Sequence, residues 1–245
     1  MTLCVAVHTG TNMMTPAFTR AEYWLLEAVV EQCLPISGLS NGDAAGQVNK
    51  SDHQVTQEEL TDALDRLFTD GLIIAEQCQS FGSEMRPKIA PTRIEIEAEL
   101  KRPSSYKDGI DGFGPLALYY RLTHKGAAAW EAFASPCWDH FMDGFGGYSI
   151  AKEINGSEYG EAICPAKWKL EHYVAGVRWL GWEIDHNAIV WDTVQPWKAT
   201  YWKELPTAHR VRFPIVRRFE ALSSTLRANM PFHYRELQRW HQWRS

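Results

Sequence analysis

The stretch YYRLTHKGAAAWEAF, residues 119–133, changes its period in the middle. Tyr119 to Leu122 is rich in residues that favour a pleated surface, and after Thr123 the apolar positions Ala127, Trp130 and Phe133 recur three apart. A strand ending at Leu122 and a helix capped by Thr123 satisfy both halves, with Gly126 in the first turns of that helix. What precedes this junction decides which fold it belongs to.

Immediately upstream, TRIEIEAEL (92–100) alternates, with Ile94, Ile96, Ala98 and Leu100 on one side and Arg93, Glu95, Glu97 and Glu99 on the other. The alternation predicts a half-buried antiparallel strand. KRPSSYKDGIDGFGP (101–115) then reads as a hairpin loop that returns the chain through LALYYRL. Further back, Thr19 and Thr56 each stand three residues before a glutamate, Glu22 and Glu59, which is the capping-box pattern of a helix start. Tyr23, Leu26, Val30 and Cys33 mark the buried side of the first helix, and Leu60, Leu64 and Leu67 that of the second. Gly71 is placed to end the second helix in a left-handed conformation, and Leu72 to Ile74 leaves it as a strand. The loop between the two helices holds a short helix near Asp43 to Val48 as a further expectation.

The order over residues 16–135 is therefore helix, helix, strand, hairpin, strand, helix. On ALDRLFTDGLI (63–73) and YYRLTHKGAAAWEAF this half resembles the winged helix-turn-helix family of MarR-like and PadR-like regulators. The resemblance implies a wing whose far strand hands over to a packing helix. It also implies a DNA-binding mode, with a dimer using Gln57, Thr61 and Arg66 on the motif helix and Lys101, Arg102 and Lys107 on the wing. Residues 150–245 form a Trp-rich, basic-tailed second domain or extension, so the fold class expected is α+β. Gly144 to Gly147 marks the break between the two. Within the second half, EIDHNAIVWDTV (183–194) reads as a turn and a strand, and the stretch from Pro214 to Arg244 as two helices broken near Pro231.

Charge weighs on function more than the fold does. Before Gln195 there are 15 Lys and Arg against 27 Asp and Glu, a net −12; from Gln195 on, 10 against 3, a net +7. The split predicts either a basic tail docked on an acidic body or an anionic partner for the tail. The motif helix itself carries Glu58, Glu59, Asp62, Asp65 and Asp70 against Arg66 alone. Acids on a helix aimed at phosphates repel them, because non-specific affinity comes from cations that displace counterions.

Eleven tryptophans, six of them between Trp168 and Trp202, provide core and the aromatic anchors of interfaces. The tail arginines Arg210, Arg212, Arg217, Arg218, Arg227, Arg235, Arg239 and Arg244 alternate with Phe213, Phe219, Phe232, Tyr234, Trp240 and Trp243. That mixture suits single-stranded nucleic acid, or equally a core covered by arginine stems.

No catalytic, metal-binding or cofactor motif is present. Nine histidines make no HExxH and no zinc spacing, and GFGGYS has neither dinucleotide-fingerprint nor P-loop spacing. Asp139–His140 and Asp185–His186 are neighbours in sequence, which places their side chains on different faces of a strand. Five widely spaced cysteines indicate reduced thiols. With no run of the roughly 20 apolar residues a membrane helix requires and no basic leader, a soluble, cytoplasmic protein is expected. The leading expectation is a non-enzymatic protein-binding module of the immunity or toxin-neutralising type, which meets a macromolecular partner, expected to be a protein, through an acidic and aromatic surface that includes Glu58, Glu59, Asp62 and Asp65. The alternative is the winged-helix DNA-binding regulator.

Overall fold

The computed structural model describes residues 18–39, 55–78, 86–88, 90–102, 117–143, 152–154 and 157–218. The protein is α+β, and its chain forms two compact units. One is built mainly from Thr9–Ser135 with Thr200–Trp202, the other mainly from Pro136–Ala199 and Lys203–Arg244.

In the first unit α1 (Arg20–Ala28) and α2 (Gln57–Thr69) start as the threonines predict. The Thr19 hydroxyl accepts from the Glu22 amide while the Glu22 carboxylate accepts from the Thr19 amide at 2.8 Å, and Thr56 and Glu59 repeat the arrangement. Each box satisfies amides that the first turn leaves without partners, worth about 1 kcal/mol. Tyr23, Leu26 and Val30 are buried, as are Leu60, Leu64 and Leu67. Gly71 adopts φ +65° just past α2, where a side chain would be strained.

The strands β1 (Leu34–Pro35), β2 (Ile73–Cys78), β3 (Arg86–Lys88) and β4 (Ala117–Leu122) form one antiparallel sheet in the order β1-β4-β2-β3. β4 runs directly into α4 (His124–Ala134), as residues 119–133 predict. Two residues of the junction dock through three groups on three consecutive carbonyls. The Thr123 hydroxyl donates to Gly71 O at 2.7 Å, the Lys125 ammonium to Asp70 O at 2.7 Å, and Leu72 O accepts from the Thr123 amide at 3.0 Å. Gly126 sits so close to Leu72 that a Cβ would penetrate the Leu72 carbonyl.

The expected strand over Arg93–Leu100 is instead a helix, α3 (Arg93–Lys101). Thr92 and Glu95 close a third capping box, and Arg93 lies 3.4 Å from Glu97 one turn on. Ile96, Glu99 and Leu100 face inward while Ile94 is 78% exposed and Ala98 is exposed, a period near 3.6 where the letters alternate by two. Local capping and good helix formers outweigh the alternation. The strands that pair with β4 are consequently β2 and β1, with Ile73 opposite Leu122 and Leu34 opposite Tyr120. The loop 103–116, with Lys107, the segment Asp43–Val48 and Gly144–Gly147 lie outside the described residues.

The second unit is an antiparallel sheet of β5 (Lys152–Ile154), β6 (Ser157–Cys164), β7 (Trp182–Ile184), β8 (Val190–Val194) and β11 (Ala208–Arg218), with a small hairpin β9 (Trp197–Lys198) and β10 (Glu204–Leu205). β11 is central: β6 flanks it on one side, and β8 and β7 follow one another along the other. Here too a prediction is corrected, because Pro214–Arg218 belongs to this strand and not to a helix. Helix α5 (Lys167–Gly176) covers one face, burying Leu170, Tyr173 and Val174 against Ala162, Cys164, Val211 and Phe213. Gly160 leaves room for the Phe213 ring, which a Cβ there would strike. Val211 and Phe213 point inward, so by alternation Arg210 and Arg212 stand on the opposite face, where both are half-buried.

Candidate interaction surface

Glu58, Asp62 and Asp65 fall four and three residues apart, on one side of α2 turned to solvent. Glu58 and Asp62 are exposed and Asp65 is half-buried. Asp62 pairs with Arg93 of α3, a hydrogen bond that raises the guanidinium pKa further. Glu59 does a different job. Its carboxylate is held by the Thr56 amide and hydroxyl, each at 2.8 Å, and those hydrogen bonds lower its pKa.

The residues proposed for DNA are distributed less favourably. Gln57 is exposed at the start of α2, but Thr61 is turned into the core, 2% exposed, with its hydroxyl donating to Gln57 O at 2.9 Å. Arg66 lies 3.2 Å from Glu22 of α1, and Arg102 lies 2.9 Å from Glu99. Lys101 is exposed at the end of α3. Two of these cations are thus matched by carboxylates within the first unit.

The tertiary structure adds residues to this surface. Because α3 packs on α2, Arg93 pairs with Asp62 and also reaches Glu97 one turn on in its own helix, and Ile94 follows Arg93 in the chain. Ile94, the most exposed large hydrophobic side chain among the described residues, was assigned to a buried row by the alternation of residues 93–100. The signal that identifies it is the Thr92-x-x-Glu95 box, which requires a helix and turns Ile94 away from Ile96.

In the second unit Asp192 binds Arg210 through two hydrogen bonds of 2.7 Å and Arg212 through one of 2.8 Å, and the Arg210 contact leads in lowering its pKa. These two tail arginines cover the sheet as ion-paired stems. Trp24, Trp130, Trp182 and Trp197 are core, whereas Trp168 and Trp191 are exposed, Trp191 beneath the Lys167 ammonium at 5.5 Å.

The two Asp–His neighbours are used separately. The Asp139 carbonyl accepts from the Ala166 amide, the His140 carbonyl accepts from the buried Lys169 ammonium at 2.7 Å, and the Asp185 carboxylate accepts from the Asn187 amide at 2.9 Å. Burial pushes the Cys164 thiol up to about 11 and lowers the pKa of Lys169, so this pair is a packed structural element at neutral pH.

Among the described residues no group of three or more His, Cys, Asp or Glu side chains is arranged to hold a metal ion, and no helix is long and apolar enough to cross a membrane. No protein-family model, curated protein or solved structure matches this chain.

Proposed function

We propose that this chain is a non-enzymatic interaction protein that binds a basic protein partner through the solvent face of α2 and the adjoining start of α3, in the manner of an immunity or toxin-neutralising protein. One observation carries the reading: Ile94, 78% exposed, follows directly on Arg93, which pairs with Asp62 on the helix that also bears Glu58 and Asp65. An apolar anchor within a charged rim is the usual anatomy of a binding surface. The acids steer a cationic partner into encounter, and burial of Ile94 slows its departure.

The regulator reading draws support from the pairing of β4 with β2 beside a preceding helix, α2, which accords with the winged-helix resemblance. Its charge is unfavourable, since the same helix would present Glu58 and Asp62 to phosphates while Arg66 and Arg102 are engaged by glutamates.

The test compares the full chain with Glu58→Lys and Ile94→Asp variants in affinity capture, followed by association kinetics with the protein retained. A basic protein should be retained, Glu58→Lys should slow its association about tenfold at low salt, and Ile94→Asp should speed dissociation. Equal retention by all three chains sinks the proposal. Duplex DNA binding that falls linearly with log salt and is weakened by Arg102→Glu would replace it with the regulator.

A further inference from the structure

Among the described residues, β8 is an edge of the second unit's sheet. It pairs with β11 without a bulge, Val190 to Val194 against Arg212 to Ala208, and no strand among the described residues pairs with its other side. Natural edges are guarded by proline, lysine, bulges or inward charge. VWDTV has none of the first three, and its one charge, Asp192, is already clasped by Arg210 and Arg212. Val190 is 49% and Trp191 38% exposed.

We infer that β8 pairs antiparallel with β8 of a second copy of this chain, about a two-fold axis through Asp192, so that one sheet continues across both copies. The side chains select this register. Trp191 and Thr193 share the face covered by α5, because they stand opposite Val211 and His209; Val190, Asp192 and Val194 share the other face. An axis at residue 192 opposes Val190 with Val194 and Trp191 with Thr193, apolar surface against apolar surface and the indole against the threonine methyl. It also keeps the helix-covered faces of both copies on the same side. A slip of one residue turns the second copy over and sets Trp191 opposite Asp192. An axis at residue 191 sets Asp192 opposite Val190. At the chosen axis the two aspartates meet, and like charges directly opposite repel. Here each carboxylate arrives with its own two guanidiniums, so four arginines surround two aspartates and the repulsion is neutralised within each copy. The result is an isologous contact in which the same strand serves both partners.

This pairing is separate from the acidic face of α2, and the charge reversals there should leave it intact. Sedimentation velocity on the full chain, from micromolar to high-micromolar concentration, should show a reversible monomer–dimer equilibrium. Thr193→Lys and Val190→Glu, each alone, place a charge at the pairing edge and should weaken the dimer at least tenfold without altering unfolding of the monomer, as read in dilute solution. Hydrogen exchange should protect outward-facing β8 amides only as concentration rises. A chain that stays monomeric, a dimer indifferent to both charges, or β8 amides protected equally at every concentration would each overturn the inference; the last would mean that the chain covers its own edge.

Discussion

The hydroxyl of Tyr201 donates to the carbonyl of Val29 at 2.8 Å, across 172 positions of sequence, and accepts from the amide of Leu122 at 2.7 Å. One phenol thus serves two backbone groups of the first unit, one just past the end of α1 and one at the last residue of β4. Trp202 follows with its indole donating to Val30 O at 2.9 Å and packing edge-on against Trp130. Burial raises the Tyr201 pKa beyond its ordinary value, so the group keeps its proton and its donor role at every physiological pH.

Tyr201→Phe should therefore destabilise the first unit by about 1–3 kcal/mol, the cost of leaving partly buried backbone groups without partners. Denaturant unfolding of the full chain, followed by hydrogen exchange at Leu122, measures it. An unchanged midpoint together with unchanged protection of the Leu122 amide would show that water replaces the phenol at no cost.

Gly126→Ala should be more damaging than its size suggests. The added methyl would occupy the Leu72 carbonyl, which already accepts from the Thr123 amide, so either α4 moves or the turn after α2 does. Strain of this kind costs about 1–3 kcal/mol or more. Thermal unfolding should show a loss larger than that of Ala128→Gly, a substitution at an exposed position of the same helix, where only about 1 kcal/mol of helix propensity is at stake.

Glu95 titrates far below its ordinary value of 4.5, at about 2, first because its carboxylate accepts from the Thr92 amide and second because the Lys88 ammonium lies 2.9 Å away. A lowered folded-state pKa means that its contribution to α3 is fully present above the ordinary value and is lost as pH falls through about 2. Carboxyl NMR titration should find that Lys88→Met raises this pKa yet leaves it below the ordinary value, because the larger contribution, from the Thr92 amide, survives. A return all the way to the ordinary value in that variant would show that the capping box does not hold Glu95.

Much of the local structure could be read from short windows. Thr19, Thr56 and Thr123 each begin a helix, Gly71 turns the chain after α2, and the period change after Leu122 is the β4–α4 boundary. These are interactions among residues three or four apart, so the letters that make them are adjacent in the chain. At residues 92–101 the alternation leads to the expectation of a strand, whereas the structure forms a helix opened by the Thr92–Glu95 box, a spacing that expectation does not use. That one difference hid the exposure of Ile94.

By itself the sequence determined the α+β class, the helix starts at Thr19, Thr56 and Thr123, and the acidic character of α2, all properties of composition and near-neighbour spacing. Tertiary structure alone decided that β4 pairs with β1 and β2, that Thr61 points inward, that Arg66 meets Glu22, that Asp192 gathers Arg210 and Arg212, and that Tyr201 closes the end of α1. Each of these joins residues with little or no local relation, and nothing in either short window names its partner. Pairings at long range are settled when many weak contacts are satisfied at once and apolar surface is buried, a property of the whole chain that no segment carries alone.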